Sequence, residues 1–219
     1  VELFTSQGCF SCPPAEQFLG ELVKRPNLIA LEFHVDYWDQ LVYGSAGKWK
    51  DPFSDAAHTD RQRGYAGQFP RGSVYTPQMV IDGRTFAVGS QRRAVFSAIK
   101  KVSKDQKNRL TVSVGNGARD GLDVRIKGPI DDPTQVSIWL VRFQREAKTK
   151  VRSGENKGKI LISHNIVRSV SQIGVWYGKP LTVKLPQLKL APGEGCVVLV
   201  QSEEHGPILG AGQCPSAAS

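Results

Sequence analysis

The sequence lacks the features that would place it among membrane, repeat or zinc-binding proteins. No apolar run approaches the roughly 18 residues that a membrane-spanning helix needs, and no internal repeat or low-complexity segment is present. Cysteine is scarce, with four residues in a chain of 219, and the four histidines are scattered. A structural zinc site normally takes a second short cluster of Cys or His ligands. Since the chain has no such cluster, we expect no bound metal ion and no cofactor.

The chain also has few acidic residues relative to basic ones, which gives it a net charge of +9. Such an excess can indicate a protein that binds nucleic acid or an anionic membrane. However, the Lys and Arg residues are spread along the chain, and no basic stripe alternates with aromatic residues. We therefore expect a basic, solvated surface and no nucleic-acid partner.

The most informative segment present is the pair Cys9 and Cys12, which follows an apolar, strand-like run over residues 1–5. A helix with an apolar stripe over residues 15–23 comes next. One turn at the start of a helix holds two cysteines at the Cα separation that a disulfide requires, and free helix N–H groups stabilise a thiolate there. The pattern predicts a redox dithiol in which Cys9, at the helix cap, attacks and Cys12 resolves. A structural disulfide is the alternative.

The residues around the pair affect its chemistry in opposite ways. Pro13 and Pro14 lack N–H groups, which leaves those of Phe10, Ser11 and Cys12 to stabilise a thiolate. The hydroxyl of Ser11 could donate to the thiolate, and this would make the protein more oxidising. No obvious buried lysine accompanies the pair as a proton relay.

The first half of the chain alternates strands and helices in the order β-α-β-α-β-β-α. The pattern predicts a buried strand over Leu28–Val35, a helix over about 54–69 and a hairpin around the turn at 82–84. Ser90 is the expected cap of the last helix. One parallel strand pair and an antiparallel hairpin, with helices on both faces, predict an α/β domain over residues 1–105.

The second half is predicted to be an all-β sandwich over residues 106–219, after a polar linker at 104–108. Roughly seven short β-rich runs, separated by Gly, Pro and Asp, are typical of such a domain. Cys196 lies in a predicted strand and Cys214 near the C-terminus, so we expect them to form a structural disulfide. The predicted strands are Leu110–Val114, Leu122–Ile126, Val136–Phe143, Ile160–Ser163, Ile166–Val170, Leu181–Leu185 and Cys196–Gln201.

Other polar side chains of the first half are further candidates. His34 and Asp36 alternate with apolar residues near the end of the second strand, so they share one face of it. They are candidates for a proton relay or for metal partners of the two cysteines, and a hydrogen-bonded structural pair is the favoured alternative. Arg61 and Arg63 could contact an acidic ligand, but we expect a solvated helix face.

Three local matches make residues 1–105 resemble the thioredoxin fold in its shorter glutaredoxin-like form. They are the strand–CxxC–helix order, Thr76-Pro77 directly before a strand, and the segments 77–83 and 88–90. The resemblance implies a cis-proline at Pro77 beside the dithiol, which exposes backbone to a substrate strand. The residues that it implies for substrate binding are Phe10, Ser11, Thr76 and Pro77.

More narrowly, the chain resembles a family of uncharacterised secreted bacterial proteins of unknown function. The matching segments are residues 2–9, 34–39 and 75–78. This resemblance implies a periplasmic or secreted location, which two cysteine pairs also suit. Because the chain begins with Val1 rather than methionine, we expect that a segment such as a secretory signal has been removed.

The sequence therefore predicts a thioredoxin-like α/β domain followed by a β-sandwich, and an extracytoplasmic thiol–disulfide oxidoreductase. Its substrate would be a protein or a small thiol or disulfide, and the sandwich would dock partner proteins. Two other classes stay open. One is a non-catalytic binding module whose Cys9–Cys12 disulfide is structural. The other is a copper-handling protein with Cys9, Cys12 and His34 as ligands, because thiolates and imidazole suit Cu(I).

Overall fold

A computed structural model gives the structure of the chain and describes residues 1–70, 72–104, 109–118, 121–128, 136–186, 188, 190–203 and 205–215. The helices in this part of the chain are α1 (Pro13–Leu22), α2 (Ala56–Gln68) and α3 (Arg92–Lys104), with a 3-10 turn at Gly44–Ala46. The strands are β1 (Glu2–Thr5), β2 (Leu31–His34), β3 (Gln78–Ile81), β4 (Thr85–Val88), β5 (Thr111–Asn116), β6 (Leu122–Lys127), β7 (Val136–Lys150), β8 (Ile160–Trp176), β9 (Leu181–Leu185), β10 (Glu194–Ser202) and β11 (Ile208–Gln213).

One mixed sheet of eight strands crosses the predicted division between the two halves. Its order is β11-β10-β7-β8-β2-β1-β3-β4. Within the first half, β1 and β2 are parallel, whereas β3 is antiparallel to both β1 and β4. The two halves join where Glu32 of β2 pairs with Ile166 of β8. Of the predicted linker, residues 105–108 lie outside the described residues, and a domain boundary at 105/106 stays a prediction.

Three apolar clusters hold the layers together. One joins α1 and α3 to one face of the first-half strands, and a second joins α2 to the opposite face and to β7, β8, β10 and β11. The third lies between β7 and β10 of the large sheet and the smaller sheet of order β5-β6-β9. The large sheet is therefore covered by helices on both faces in the first half and by strands in the second.

Strand β8 differs from the sequence prediction, which divided it into two strands at Ile160–Ser163 and Ile166–Val170. It runs without a break from Ile160 to Trp176. The prediction left the polar residues in between outside both strands, yet they lie where β8 meets β2. Asn165 adopts a φ of 47°, which asparagine tolerates better than most residues, and its side chain donates to Ala30 O at 3.0 Å.

The prediction of a solvated face on α2 is wrong for Arg61 and right for Arg63. Arg63 is exposed and pairs with Asp60. Arg61 is buried and donates to both carboxylate oxygens of Glu2, at 2.7 and 3.1 Å. Because α2 lies against the sheet, a polar residue on its inner side is buried together with its partner. The helical pattern alone does not show which of the two arginines lies on that side.

The described part of the second half contains one disulfide, between Cys196 of β10 and Cys214 just after β11. It closes a loop with a sequence separation of 18. Both cysteines are buried in the cluster between the two sheets.

We expect the double variant Cys196→Ala/Cys214→Ala to lower the free energy of unfolding by about 3 kcal/mol. The crosslink limits the unfolded chain, and a loop of this length is worth roughly that amount. Urea unfolding followed by circular dichroism measures the change. A loss below about 1 kcal/mol would show that the sheet holds this segment without the disulfide.

Candidate functional site

The CxxC loop lies between β1 and α1, and its two cysteines form a disulfide with a Cα–Cα distance of 5.4 Å. The N-cap of α1 is Cys12 and not Cys9 as expected. The helix begins at Pro13, because the N–H that proline lacks would have no intrahelical partner in the first turn. Cys9 belongs to the preceding turn, in which the Cys12 N–H donates to Cys9 O at 3.2 Å.

The cysteine side chains face inward. Cys9 and Cys12 are both 0 % exposed, whereas Ser11 is exposed and Phe10 is 62 % exposed. The Ser11 Oγ lies 3.4 Å from Cys9 Sγ, within hydrogen-bonding distance of sulfur. A partner molecule that approaches this loop therefore meets the Phe10-Ser11 dipeptide before it meets a sulfur atom.

Thr76 and Pro77 lie beside the start of α1, and the peptide bond between them is cis. Gly89 lies between Pro77 and α1 and leaves little space there. A Cβ on Gly89 would lie 3.1 Å from Ala15 Cβ and 3.3 Å from Pro77 Cβ. Trp38 Nε1 donates to Thr76 Oγ1 at 2.8 Å. The fold thus places these two candidate substrate-binding residues near the helix that follows the CxxC loop.

His34 and Asp36 do not form the expected pair. The imidazole of His34 is fully buried between two carboxylates, with Nδ1 2.6 Å from Asp51 Oδ2 and Nε2 2.9 Å from Glu32 Oε1. Asp36 instead accepts a hydrogen bond from Thr59 Oγ1 on α2. The reason is that β2 ends at His34, so the alternation of strand faces does not continue to Asp36.

The two carboxylates favour the protonated form of the His34 ring. Burial opposes the charged form, but Asp51 and Glu32 together raise the pKa of His34 well above its ordinary value. Both ring nitrogens lie within hydrogen-bonding distance of a carboxylate, so neither faces the two cysteines as a copper ligand would. Among the described residues, no group of three or more His, Cys, Asp or Glu side chains could hold a metal ion.

A buried acid that the sequence analysis missed lies one turn beyond Cys12. Glu16 of α1 is buried, its backbone N–H donates to Cys12 O, and its carboxyl group accepts a hydrogen bond from Thr5 Oγ1 at 2.7 Å. Burial, reinforced by the nearby charge of Glu32, raises the pKa of Glu16 to about 8. The available sequence signal was its position beside the apolar stripe of α1, because this stripe faces the core. Such a position is unusual for glutamate, which is mostly solvent-exposed.

The hairpin tip, residues 151–159 between β7 and β8, contacts the CxxC loop from the other half of the chain. Asn156 is fully buried, and its Nδ2 donates to Gln7 O and Cys9 O, both at 2.9 Å. The carboxylate of Glu155 accepts a hydrogen bond from the Phe10 N–H at 2.8 Å, across a sequence separation of 145. No local sequence signal indicates contacts over such a separation.

Fold and site together define an α/β protein with a disulfide-bonded CxxC loop. The model of a family described as "Protein of unknown function (DUF1223)" matches residues 1–201. The chain belongs to this family. The match agrees with the resemblance to an uncharacterised bacterial family, and it brings no activity or substrate with it.

A solved structure supports the same relationship. The crystal structure of protein AGR_C_4864 from Agrobacterium tumefaciens is similar to this chain with 31% sequence identity and a TM-score of 0.82. The alignment covers 100% of this chain and 94% of that one. No curated protein matches the chain. None of the helices in the described residues is long and apolar enough to cross a membrane.

We expect the pH dependence of the free energy of unfolding to reveal the raised pKa of buried Glu16. A carboxyl group whose pKa is raised on folding stabilises the folded state fully below its unfolded pKa, and this contribution is lost as the pH rises toward about 8. Glu16→Gln keeps an acceptor for Thr5 but cannot ionise. Its stability relative to the parent should rise by up to ~1.4 kcal/mol per pH unit in this window.

Urea unfolding at a series of pH values measures this difference. Glu203→Gln, which removes an exposed carboxylate, is the matched control and should show no such trend. Parallel pH profiles for the Glu16→Gln variant and the parent would contradict a raised pKa.

Proposed function

We propose that the protein is an extracytoplasmic thiol–disulfide oxidoreductase of thioredoxin-like fold that acts through Cys9 and Cys12. One observation carries the proposal. The disulfide-bonded CxxC loop precedes α1, and the helix places the buried carboxyl group of Glu16 one turn beyond Cys12.

The topology supports the fold assignment. In the first half, the strand order β2-β1-β3-β4 combines one parallel pair with antiparallel strands. Helices α1 and α3 cover one face and α2 the other. This is the arrangement that the resemblance implies for a glutaredoxin-like unit. In the second half, two facing sheets with an apolar layer between them support a β-sandwich.

The reaction follows from the different roles of the two cysteines, in which Cys9 attacks first and Cys12 second. In the reduced protein, the Cys9 thiolate attacks a substrate disulfide, forms a mixed disulfide and releases one substrate thiol. The Cys12 thiolate then attacks Cys9 Sγ, which restores the protein disulfide and releases the second substrate thiol. Two electrons pass to the substrate, and the protein thiols lose two protons.

Glu16 is suited to move the proton of Cys12. Residues four apart on a helix are neighbours, and the Glu16 pKa of about 8 lies near that of an ordinary thiol at ~8.5. Groups with matched pKa values exchange a proton in either direction with little loss of free energy. Glu16 would therefore serve both the oxidation and the reduction of the pair.

A second candidate function is a binding module in which the Cys9–Cys12 disulfide only stabilises the loop. The complete burial of both cysteines favours it, because thiol–disulfide exchange requires access to a sulfur atom. In the oxidoreductase, exposed Phe10 and Ser11 would form the docking face and a small shift of the loop would uncover Cys9. Two disulfides suit a periplasmic or secreted location under either function.

Turnover separates the two candidates. We expect the protein to accelerate the reduction of insulin disulfides by dithiothreitol, and Cys9→Ser to reduce the rate to the uncatalysed background. Cys12→Ser should accumulate a mixed disulfide between Cys9 and the substrate, which mass spectrometry detects. The matched control is Cys196→Ala/Cys214→Ala, assayed at a temperature where it is folded, and it should retain activity. Background rates for the parent protein, with a Cys9–Cys12 disulfide that only denaturant makes reducible, would establish the structural role.

A further inference from the structure

We propose that Glu155 tunes the Cys9–Cys12 pair by disfavouring the Cys9 thiolate. Its carboxylate makes the reduced pair less stable once Cys9 ionises, and the protein is then a poorer acceptor of electrons from substrate thiols. This inference rests on the proposed function, and it assigns a positioning role to a residue from the other half of the chain.

The hairpin tip holds Glu155 in place through several independent contacts. Buried Asn156 binds the backbone on both sides of Gly8, at Gln7 O and Cys9 O. Gly154 N donates to Ala46 O at 2.8 Å, and the Ser153 hydroxyl donates to Lys48 O. These anchors hold the hairpin tip against the CxxC loop, and from this position the Glu155 carboxylate accepts the hydrogen bond of the Phe10 N–H.

The contact of Glu155 occupies a group that a thiolate would use. The Phe10 N–H is one of three backbone donors that the sequence leaves between the cysteines, and it donates to Glu155 Oε2 at 2.8 Å. The Cys12 N–H is also engaged, by Cys9 O. A Cys9 thiolate would therefore form next to a peptide N–H that already binds a negative charge, and a like charge nearby raises a thiol pKa.

The other charged side chains around the loop make different contacts. Lys159 contacts the Phe10 side chain rather than its peptide, with Nζ 4.4 Å from the Phe10 ring centroid and 2.8 Å from Asn156 Oδ1. Asp51 binds the Gln7 N–H, and its charge is already paired with His34. Burial raises the pKa of Glu16, below the loop on α1, to about 8, so at neutral pH Glu16 adds little negative charge. Glu155 is thus the carboxylate that accepts a hydrogen bond from the dipeptide between the two cysteines.

The redox consequence follows from the balance of the two states. Oxidation of the dithiol removes two electrons and two protons and leaves a neutral disulfide. A nearby negative charge raises the free energy of the thiolate but not that of the neutral thiol or of the disulfide. The reduction potential therefore falls at a pH above the Cys9 pKa, where the reduced pair carries the thiolate and its oxidation releases one proton. A substrate disulfide then takes the electron pair, and an external thiol or dithiol reductant must regenerate the protein. The Ser11 hydroxyl, the one favourable donor seen at Cys9 Sγ, would act in the opposite direction.

Glu155→Gln tests the charge while keeping an acceptor for the Phe10 N–H. We expect the pKa of Cys9 to fall by about one unit, which is a tenfold increase in thiolate below the pKa. The pH dependence of iodoacetamide alkylation, read at Cys9 by mass spectrometry, measures it. The reduction potential, measured against a defined thiol–disulfide buffer at a pH above the Cys9 pKa, should rise by about 30 mV for this tenfold change.

Three further variants isolate the cause. Glu155→Asp keeps the charge and should retain a high Cys9 pKa. Asn156→Ala loosens the hairpin tip that presents Glu155 and should lower the Cys9 pKa by less than Glu155→Gln does. A larger shift in Asn156→Ala than in Glu155→Gln would overturn the proposal and assign the effect to the structure of the tip. Glu203→Gln removes a distant carboxylate and should leave both quantities unchanged. An unaltered Cys9 pKa and potential in Glu155→Gln would also overturn it.

These readouts do not depend on turnover. If the parent protein fails to turn over insulin but Glu155→Gln lowers the Cys9 pKa, the proposed function is wrong and the electrostatic role of Glu155 stands. If the parent turns over and Glu155→Gln changes neither quantity, only the inference about Glu155 is wrong.

Discussion

The buried ionic cluster of Glu32, His34 and Asp51 is the interaction on which the rest of the structure depends. Its side chains have no solvent exposure, so each charge is stable only because its partners are in place. Glu32 also accepts from the His164 N–H of β8, and Asp51 accepts from the Gln7 N–H before the CxxC loop. A single charge cluster thereby ties together β2, β8 and the loop that carries the cysteines.

The candidate site inherits its geometry from this junction. Because β8 is anchored to β2, the hairpin that it forms with β7 projects its tip onto the CxxC loop, where Asn156 and Glu155 bind the backbone. The same cluster places Glu32 near Glu16 and so contributes to the raised pKa of that carboxyl group. The CxxC motif lies in the first half of the chain, but the second half supplies residues that complete the site.

The sequence predicted the local elements well where a short-range signal was present. The apolar stripe of α1, the Asp82-Gly83 turn between β3 and β4, and the CxxC spacing all depend on residues within a turn or two of one another. Prediction failed where burial decided the outcome. Arg61 looked solvated, and the polar residues around Asn165 looked like a gap between two strands. Both are stabilised by partners from distant segments, at Glu2 and Ala30.

By itself, the sequence determined the chemistry available at this site and the helices and strands around it. Backbone propensity, capping and side-chain periodicity act over a few residues, and they are written in the local order of the chain. Only the tertiary structure decided which way the cysteines face, that His34 binds carboxylates at both ring nitrogens, and that Glu155 meets the Phe10 N–H. These outcomes depend on desolvation and on contacts between residues far apart in sequence, and both exist only in the folded chain.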